Sequence, residues 1–177
     1  MSKKTFTLRA DGSLLTPEFR VSFPRVFEAD EHGKYGVAMI FDKDVDFTVL
    51  RKVIAAKKKE QWPQGPKGQY SEPILDGDES QASREELVGK LYINAKAGKY
   101  RPGLVGPDKT EIQDEAEFYP GCWARAVINV YPWTFKGKCG ISVGVRNIQK
   151  LRDDEPLVSH AKASDEFDAV DTSDDDL

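Results

Sequence analysis

Cys122-Trp-Ala-Arg-Ala-Val-Ile-Asn-Val-Tyr-Pro-Trp-Thr-Phe135 is the stretch from which the fold is read. Its even positions, Cys122, Ala124, Ala126, Ile128 and Val130, are small and apolar. Its odd positions are Trp123, Arg125, Val127, Asn129, Tyr131, Trp133 and Phe135. A period of two is that of a β-strand whose faces meet different surroundings, so the even row belongs in a core. Pro120-Gly121 introduces this strand, and Gly137 turns it back into Cys139 to Leu151, a terminal hairpin. On the returning strand Ile141, Val143 and Val145 suit the same core, which leaves Gly140, Ser142, Gly144 and Arg146 opposite. Those small residues either leave a shallow trough with an arginine at one end or mark bulges that let a barrel strand coil.

Upstream, Phe19, Val21, Phe23 and Phe27 alternate with Arg20, Ser22 and Pro24, which places the aromatics on one face. A turn at His32-Gly33-Lys34 leads into Tyr35 to Phe41, a partner strand buried along most of its length. Asp42 or Asp44 caps a helix over Val45 to Trp62, where Val45, Leu50, Val53 and Ile54 share a face. Lys57-Lys58-Lys59 then lie in its last turns, where cations suit the helix dipole. Pro63 to Gly77 is a Pro- and Gly-rich loop, followed by a short helix with Ser83 as cap and Glu86 at the capping-box position. Leu91 to Lys96 alternates again, with Leu91, Ile93 and Ala95 inward and Tyr92, Asn94 and Lys96 outward. Residues 1–16 are polar and turn-rich, a loosely attached arm. Two strands, a helix, one strand and a hairpin predict a mainly β domain over residues 17–152, an OB-type Greek-key barrel of five strands with inserted helices. Such barrels habitually carry their helix between strands three and four, whereas here it follows strand two.

Charge divides the chain differently. The 177 residues carry 26 Lys or Arg against 30 Asp or Glu, a formal charge of −4. Residues 153–177 hold ten acids and one lysine, or −9, so residues 1–152 hold 25 bases against 20 acids, or +5. The far end, 164–177, has seven acids and no base, which predicts a disordered acidic tail. A polyanion tethered to a basic body can occupy the body's surface or be displaced from it by a stronger polyanion, and nucleic acid is such a polyanion. No stretch approaches the roughly 18 apolar residues of a membrane span, and the N-terminus lacks a secretory h-region, so a cytoplasmic protein is expected. Cys122 and Cys139 lack any C-x-x-C spacing and lie at opposite ends of the hairpin, so two unbridged thiols are expected. The acidic turn at Asp76 fails as a calcium loop, because Gln81 and Leu87 stand where Gly and Glu are needed. Neither histidine has a second ligand at sensible spacing, and no nucleophile–base arrangement emerges. Neither a metal, a cofactor nor an enzymatic activity is expected.

The outward faces carry the functional signal. A purely structural face would favour Thr, Lys and Glu, yet this one mixes large rings with Arg and Asn. Bases are held without sequence restriction by stacking on such rings while cations track the phosphates. The candidate nucleic-acid-binding residues are Tyr92, Asn94 and Lys96, the loop triplet Lys99, Tyr100 and Arg101, the strand residues Trp123, Arg125, Tyr131 and Trp133, and Arg146. The alternative is a protein-interaction module, in which the rings pack under a loop or between copies of the chain in a homo-oligomer.

The run from Phe118 to Trp133, with Gly140 to Asp154 after it, resembles a family of bacteriophage single-stranded DNA-binding proteins. The resemblance covers about residues 17–155 and is most specific in the terminal hairpin. It implies an OB-fold protein with an acidic C-terminal tail that coats and protects transient single strands in replication or recombination. Tails of this kind end in acids and a bulky apolar residue that docks on replication partners. Here the end is Asp174-Asp175-Asp176-Leu177, with leucine where an aromatic ring is common.

Overall fold

The computed structural model describes residues 4–79, 85–157 and 168–170. Its strands are β1 (Thr7–Leu8), β2 (Leu14–Leu15), β3 (Phe19–Arg25), β4 (Tyr35–Asp42), β5 (Gln69–Ser71), β6 (Leu75–Asp76), β7 (Lys90–Gly98), β8 (Gly103–Val105), β9 (Trp123–Phe135) and β10 (Lys138–Arg152). One helix, α1 (Thr48–Gln61), lies between β4 and β5. Five strands close on themselves: β3 pairs β4, β4 pairs β7, β7 pairs β10, β10 pairs β9, and β9 returns to β3. Every pairing on that path is antiparallel except β7 with β10, which run parallel where Gly144 faces Lys96. This is the connectivity of an OB barrel, and closure leaves none of the five with an unpaired edge. The helix follows the second barrel strand, as the sequence order requires.

Alternation is obeyed along β9. Cys122, Ala124, Ala126, Ile128 and Val130 are all buried, and the core they enter includes Phe19, Met39, Phe41, Ile93 and Ile141. In β10 the register shifts between Val145 and Asn147, so Arg146 is a bulge residue. An extra residue reverses the parity, and the buried set therefore runs Ile141, Val143, Val145 and then Ile148. Helix α1 lays Leu50 and Ile54 against the core and touches β9 and β10. Its first turn is held by Asp46, which accepts hydrogen bonds from the Thr48 amide (2.9 Å) and hydroxyl (2.6 Å). Neither Asp42 nor Asp44 caps it, because Asp42 is engaged by Lys90 and Lys4, and Asp44 by Lys4. Both cysteines are free and buried.

Two other expectations are corrected. Residues 4–16 are not loosely attached. Phe6 packs its ring 5.5 Å from Phe41 and 5.3 Å from Phe47, and Leu14–Leu15 pairs with Ile128 and Val127 of β9. Two apolar anchors flank the polar turn at Asp11-Gly12, and a reading by average polarity passes over them. Phe23 does not share the inward face of Phe19 and Val21. Pro24 donates no ladder hydrogen bond, the β3–β4 register slips between Ser22 and Arg25, and Phe23 turns out with φ 44° and 51% exposure. Downstream of α1, the Pro- and Gly-rich segment contributes β5 and β6. The Ser83 cap lies outside the described residues, with only a 3-10 turn, Glu85–Leu87, seen after it. The acidic end, Asp174 to Leu177, also lies outside them. Among the described residues no helix is long and apolar enough to cross a membrane.

Candidate nucleic-acid interface

The outward row of β9 lies beside β10, and β10 touches β7 in the parallel contact that closes the barrel. That contact sets Lys96 opposite Gly144, while the hairpin sets Asn129 opposite the same glycine and Tyr131 opposite Ser142. A groove of about 560 Å³ opens here, lined by Lys96, Tyr100, Arg101, Asn129, Tyr131 and Arg146 together with backbone from β8 and β10. Five of the eleven candidates therefore meet in one place: Lys96, Tyr100, Arg101, Tyr131 and Arg146. Of the two readings of the small residues in β10, the bare trough is not there, since Gly140, Ser142 and Gly144 are all buried. A Cβ on Gly144 would stand 2.6 Å from Asn129 Oδ1, and one on Gly140 would stand 2.8 Å from Trp133 Nε1. The glycines thus seat cross-strand side chains from β9, a close approach that only a missing Cβ permits.

Among the described residues the groove lining carries three cations and no acid. Arg101 is fixed from behind: its Nε donates to the Val26 carbonyl at 2.6 Å, and its guanidinium sits 4.7 Å from the Phe27 ring. Arg146, delivered to the rim by its bulge, donates through Nη2 to Asp11 Oδ2 at 3.1 Å and Ser13 Oγ at 3.4 Å. The Ser13 hydroxyl and amide, and then Arg146, hold the Asp11 carboxyl well below the usual carboxylate range. Tyr100 presents its ring to water at 85% exposure. The groove continues past Lys96, Gly98 and Tyr131 into a depression of about 340 Å³ that adds Arg25, Lys34 and Tyr35, with Asp30 beside them. Sequence reading missed those first three. Their only signal is the β4–β7 register, which sets Tyr35 across from Gly98, and one strand alone does not reveal a register.

The remaining candidates lie elsewhere. Trp133 rests on Gly140, and beyond it Phe135 is exposed with Lys136 Nζ 5.3 Å from its ring. Tyr92 is half-buried between Ile40 and Leu75, Asn94 is exposed on the outer side of β7, and Lys99 is exposed beside Tyr100 without lining the groove. Arg125 donates through Nε to Gln149 Oε1 at 2.8 Å, beyond the groove. Trp123 is covered. Its indole N–H donates to Asp154 Oδ2 at 2.8 Å, and the Arg152 guanidinium lies 4.7 Å over its ring. Arg152 in turn pairs with Glu18 at 2.5 Å, Arg20 donates to the Glu155 carbonyl at 2.7 Å, and the Tyr119 hydroxyl donates to Asp153 Oδ1 at 2.9 Å. Among the described residues no three His, Cys, Asp or Glu side chains are placed to hold a metal.

A closed OB barrel with a basic, aromatic groove across its outer face defines a class, the OB-fold proteins that carry nucleic-acid strands on the barrel surface. Within that class, a family model described as "Enterobacter phage Enc34, ssDNA-binding protein" matches residues 13–177, and the chain belongs to that family. The solved single-stranded DNA-binding protein from bacteriophage Enc34 is similar at 25% identity with a TM-score of 0.74, over 99% of this chain and 96% of that one. A structure of the Enc34 protein in complex with ssDNA is similar at 24% identity and TM-score 0.77, over 89% and 96% of the two chains. The fold extends to gp2.5, a single-stranded DNA-binding protein encoded by bacteriophage T7, at 7% identity and TM-score 0.63, over 87% and 99%. No curated protein sequence matches the chain.

Proposed function

We propose that this chain binds single-stranded DNA with little regard to sequence and coats it during phage replication or recombination. The observation that carries the reading is the convergence of Lys96, Arg101 and Arg146 with the rings of Tyr100 and Tyr131 in one groove. Bases stack on the two rings, at roughly 1–3 kcal/mol each, and the three cations displace counterions from phosphates. A duplex hides the base faces that the rings need, so single strands are preferred. The described family supports the reading, as does the barrel shared with a relative solved in complex with ssDNA. The role is binding, carried out in the cytoplasm of the host cell by a domain over residues 17–152. The acidic segment 153–177 competes with phosphate for that basic body, and its Asp174-Asp175-Asp176-Leu177 end recruits replication or recombination proteins. Titration of labelled oligo-dT by fluorescence anisotropy, with duplex as competitor, tests this. Binding should favour the single strand and weaken as salt rises. Equal affinity for duplex, or none for oligo-dT, would overturn the reading.

A further inference from the structure

Past the groove, the outer faces of β9 and β10 carry a second depression of about 270 Å³. Its floor is apolar, formed by the half-buried Leu15, Val105 and Val127 from three different strands, and its rim carries Arg125 and Lys109. A single amide organises that rim. Gln149 accepts from Arg125 Nε at 2.8 Å, and its own Nε2 reaches the carbonyls of Gly106 and Pro107, each at 3.3 Å. It thus holds both the guanidinium and the turn that carries Lys109, a residue with φ 69°. With Nε committed to Gln149, the Nη atoms of Arg125 remain to meet an anion. Among the described residues no acid lines the depression. Asn147 lines both this depression and the groove, and Val127 precedes Asn129 by two strand positions, about 7 Å. That is one step of an extended single strand.

Resting on the function proposed above, we infer that this depression is a further nucleotide subsite, which takes one base on Val127 and its neighbour Leu15 and its phosphate between Arg125 and Lys109. Three observations favour it: the continuity with the groove through Asn147, the charge complementarity of the rim, and an apolar floor able to bear a base face. An acidic peptide with an apolar side chain shares part of that chemistry, and the test separates the two. The full chain is titrated with oligo-dT of increasing length, as the parent, as Arg125→Ala/Lys109→Ala, and as Lys109→Glu. The last variant changes only an exposed turn and leaves folding intact. Oligomers just long enough to fill the groove should bind all three chains alike. Longer ones should bind the double variant about tenfold or more weakly, with a log–log salt slope shallower by about 1.4, at roughly 0.7 per lost phosphate contact. Lys109→Glu should weaken the same long oligomers. Equal weakening at every length, or no weakening at any, overturns the subsite. Tighter binding at every length also overturns it, and assigns the depression to an acidic segment. A parent that binds oligo-dT of no length overturns the groove reading, and the subsite falls with it, a result distinct from the others.

Discussion

Tyr131 and Trp123 stand on the same face of the same strand, eight residues apart, and meet opposite fates. Around Tyr131 the lining is mostly cationic and open to solvent, with Asp30 the one described acid among Arg25, Lys34, Lys96, Arg101 and Arg146. Around Trp123 the ring is covered by Arg152, its N–H is donated to Asp154, and the neighbouring arginines are matched by Glu18 and the Glu155 carbonyl. Alternation decides which side of a sheet a residue takes, but not what lies over that side. The cover at the Trp123 end comes from residues 153–155 and from Glu18, which reach it only because the barrel closes. Large rings and arginines on an outward row are therefore two different objects, a surface and a clasp.

The sharpest attempt to break this comparison begins beneath both ends. Ile128 is fully buried midway along the inner row, and Ile128→Ala should cost about 2–5 kcal/mol of stability, seen in denaturant unfolding. Oligo-dT affinity of the folded fraction should stay near the parent's. Next come the two rings themselves. Tyr131→Ala should weaken oligo-dT binding by roughly 1–3 kcal/mol at an unchanged melting temperature. Trp123→Ala should do the reverse, lowering stability by about 1 kcal/mol and leaving affinity alone. If Trp123→Ala weakens binding as Tyr131→Ala does, the clasp opens on DNA and the two ends are one surface.

The barrel was legible in the sequence because its evidence is local. Ala124, Ala126 and Ile128 against Arg125 and Val127 mark a strand without knowledge of any partner, and Leu50 and Ile54 mark a helix in the same way. The groove was half legible. Lys96 and Tyr131 lie on strands whose parity gives their side, and Tyr100 and Arg101 follow β7 directly. What separated Tyr131 from Trp123, and brought in Arg25, Lys34 and Tyr35, was strand register and the path of chain ends. Pairing over long sequence separations sets both, and no single stretch records them. The bulge at Arg146 shows the same limit, since one inserted residue reversed the parity from Asn147 to Lys150, where a second shift follows.

Acid should loosen the clasp. The Glu18 carboxyl is held below its ordinary value of 4.5 by its hydrogen bonds to Arg152, and the Asp153 and Asp154 carboxyls are lowered as well. A carboxyl whose folded pKa lies below its unfolded value adds stability above the unfolded value and loses it as pH falls through the folded one. The melting temperature should therefore hold down to about pH 4.5 and fall below it. Glu18→Gln should flatten that acid limb, by an amount about 1 kcal/mol or smaller for so superficial a pair. An acid limb identical in parent and variant would mean the Arg152–Glu18 contact does not hold this end together.

The smallest effect lies at the open end, where a further carboxylate intrudes. Asp11 meets Arg146 at 3.1 Å with about half of each side chain exposed, so the pair contributes little to stability. It does occupy the arginine that a phosphate at the groove's rim would use. Asp11→Asn keeps an oxygen to accept from Ser13, so the turn survives, and removes the charge that competes with DNA. Oligo-dT affinity should rise by no more than about fivefold, with the gain largest at low salt and fading as screening grows. Arg146→Ala in the same assay should lower affinity and flatten the salt slope by roughly 0.7. A fall in affinity on Asp11→Asn would reverse the sign of the argument. The carboxylate would then be holding Arg146 where a phosphate needs it, and the open end, like the Trp123 end, would be organised by an acid drawn from elsewhere in the chain.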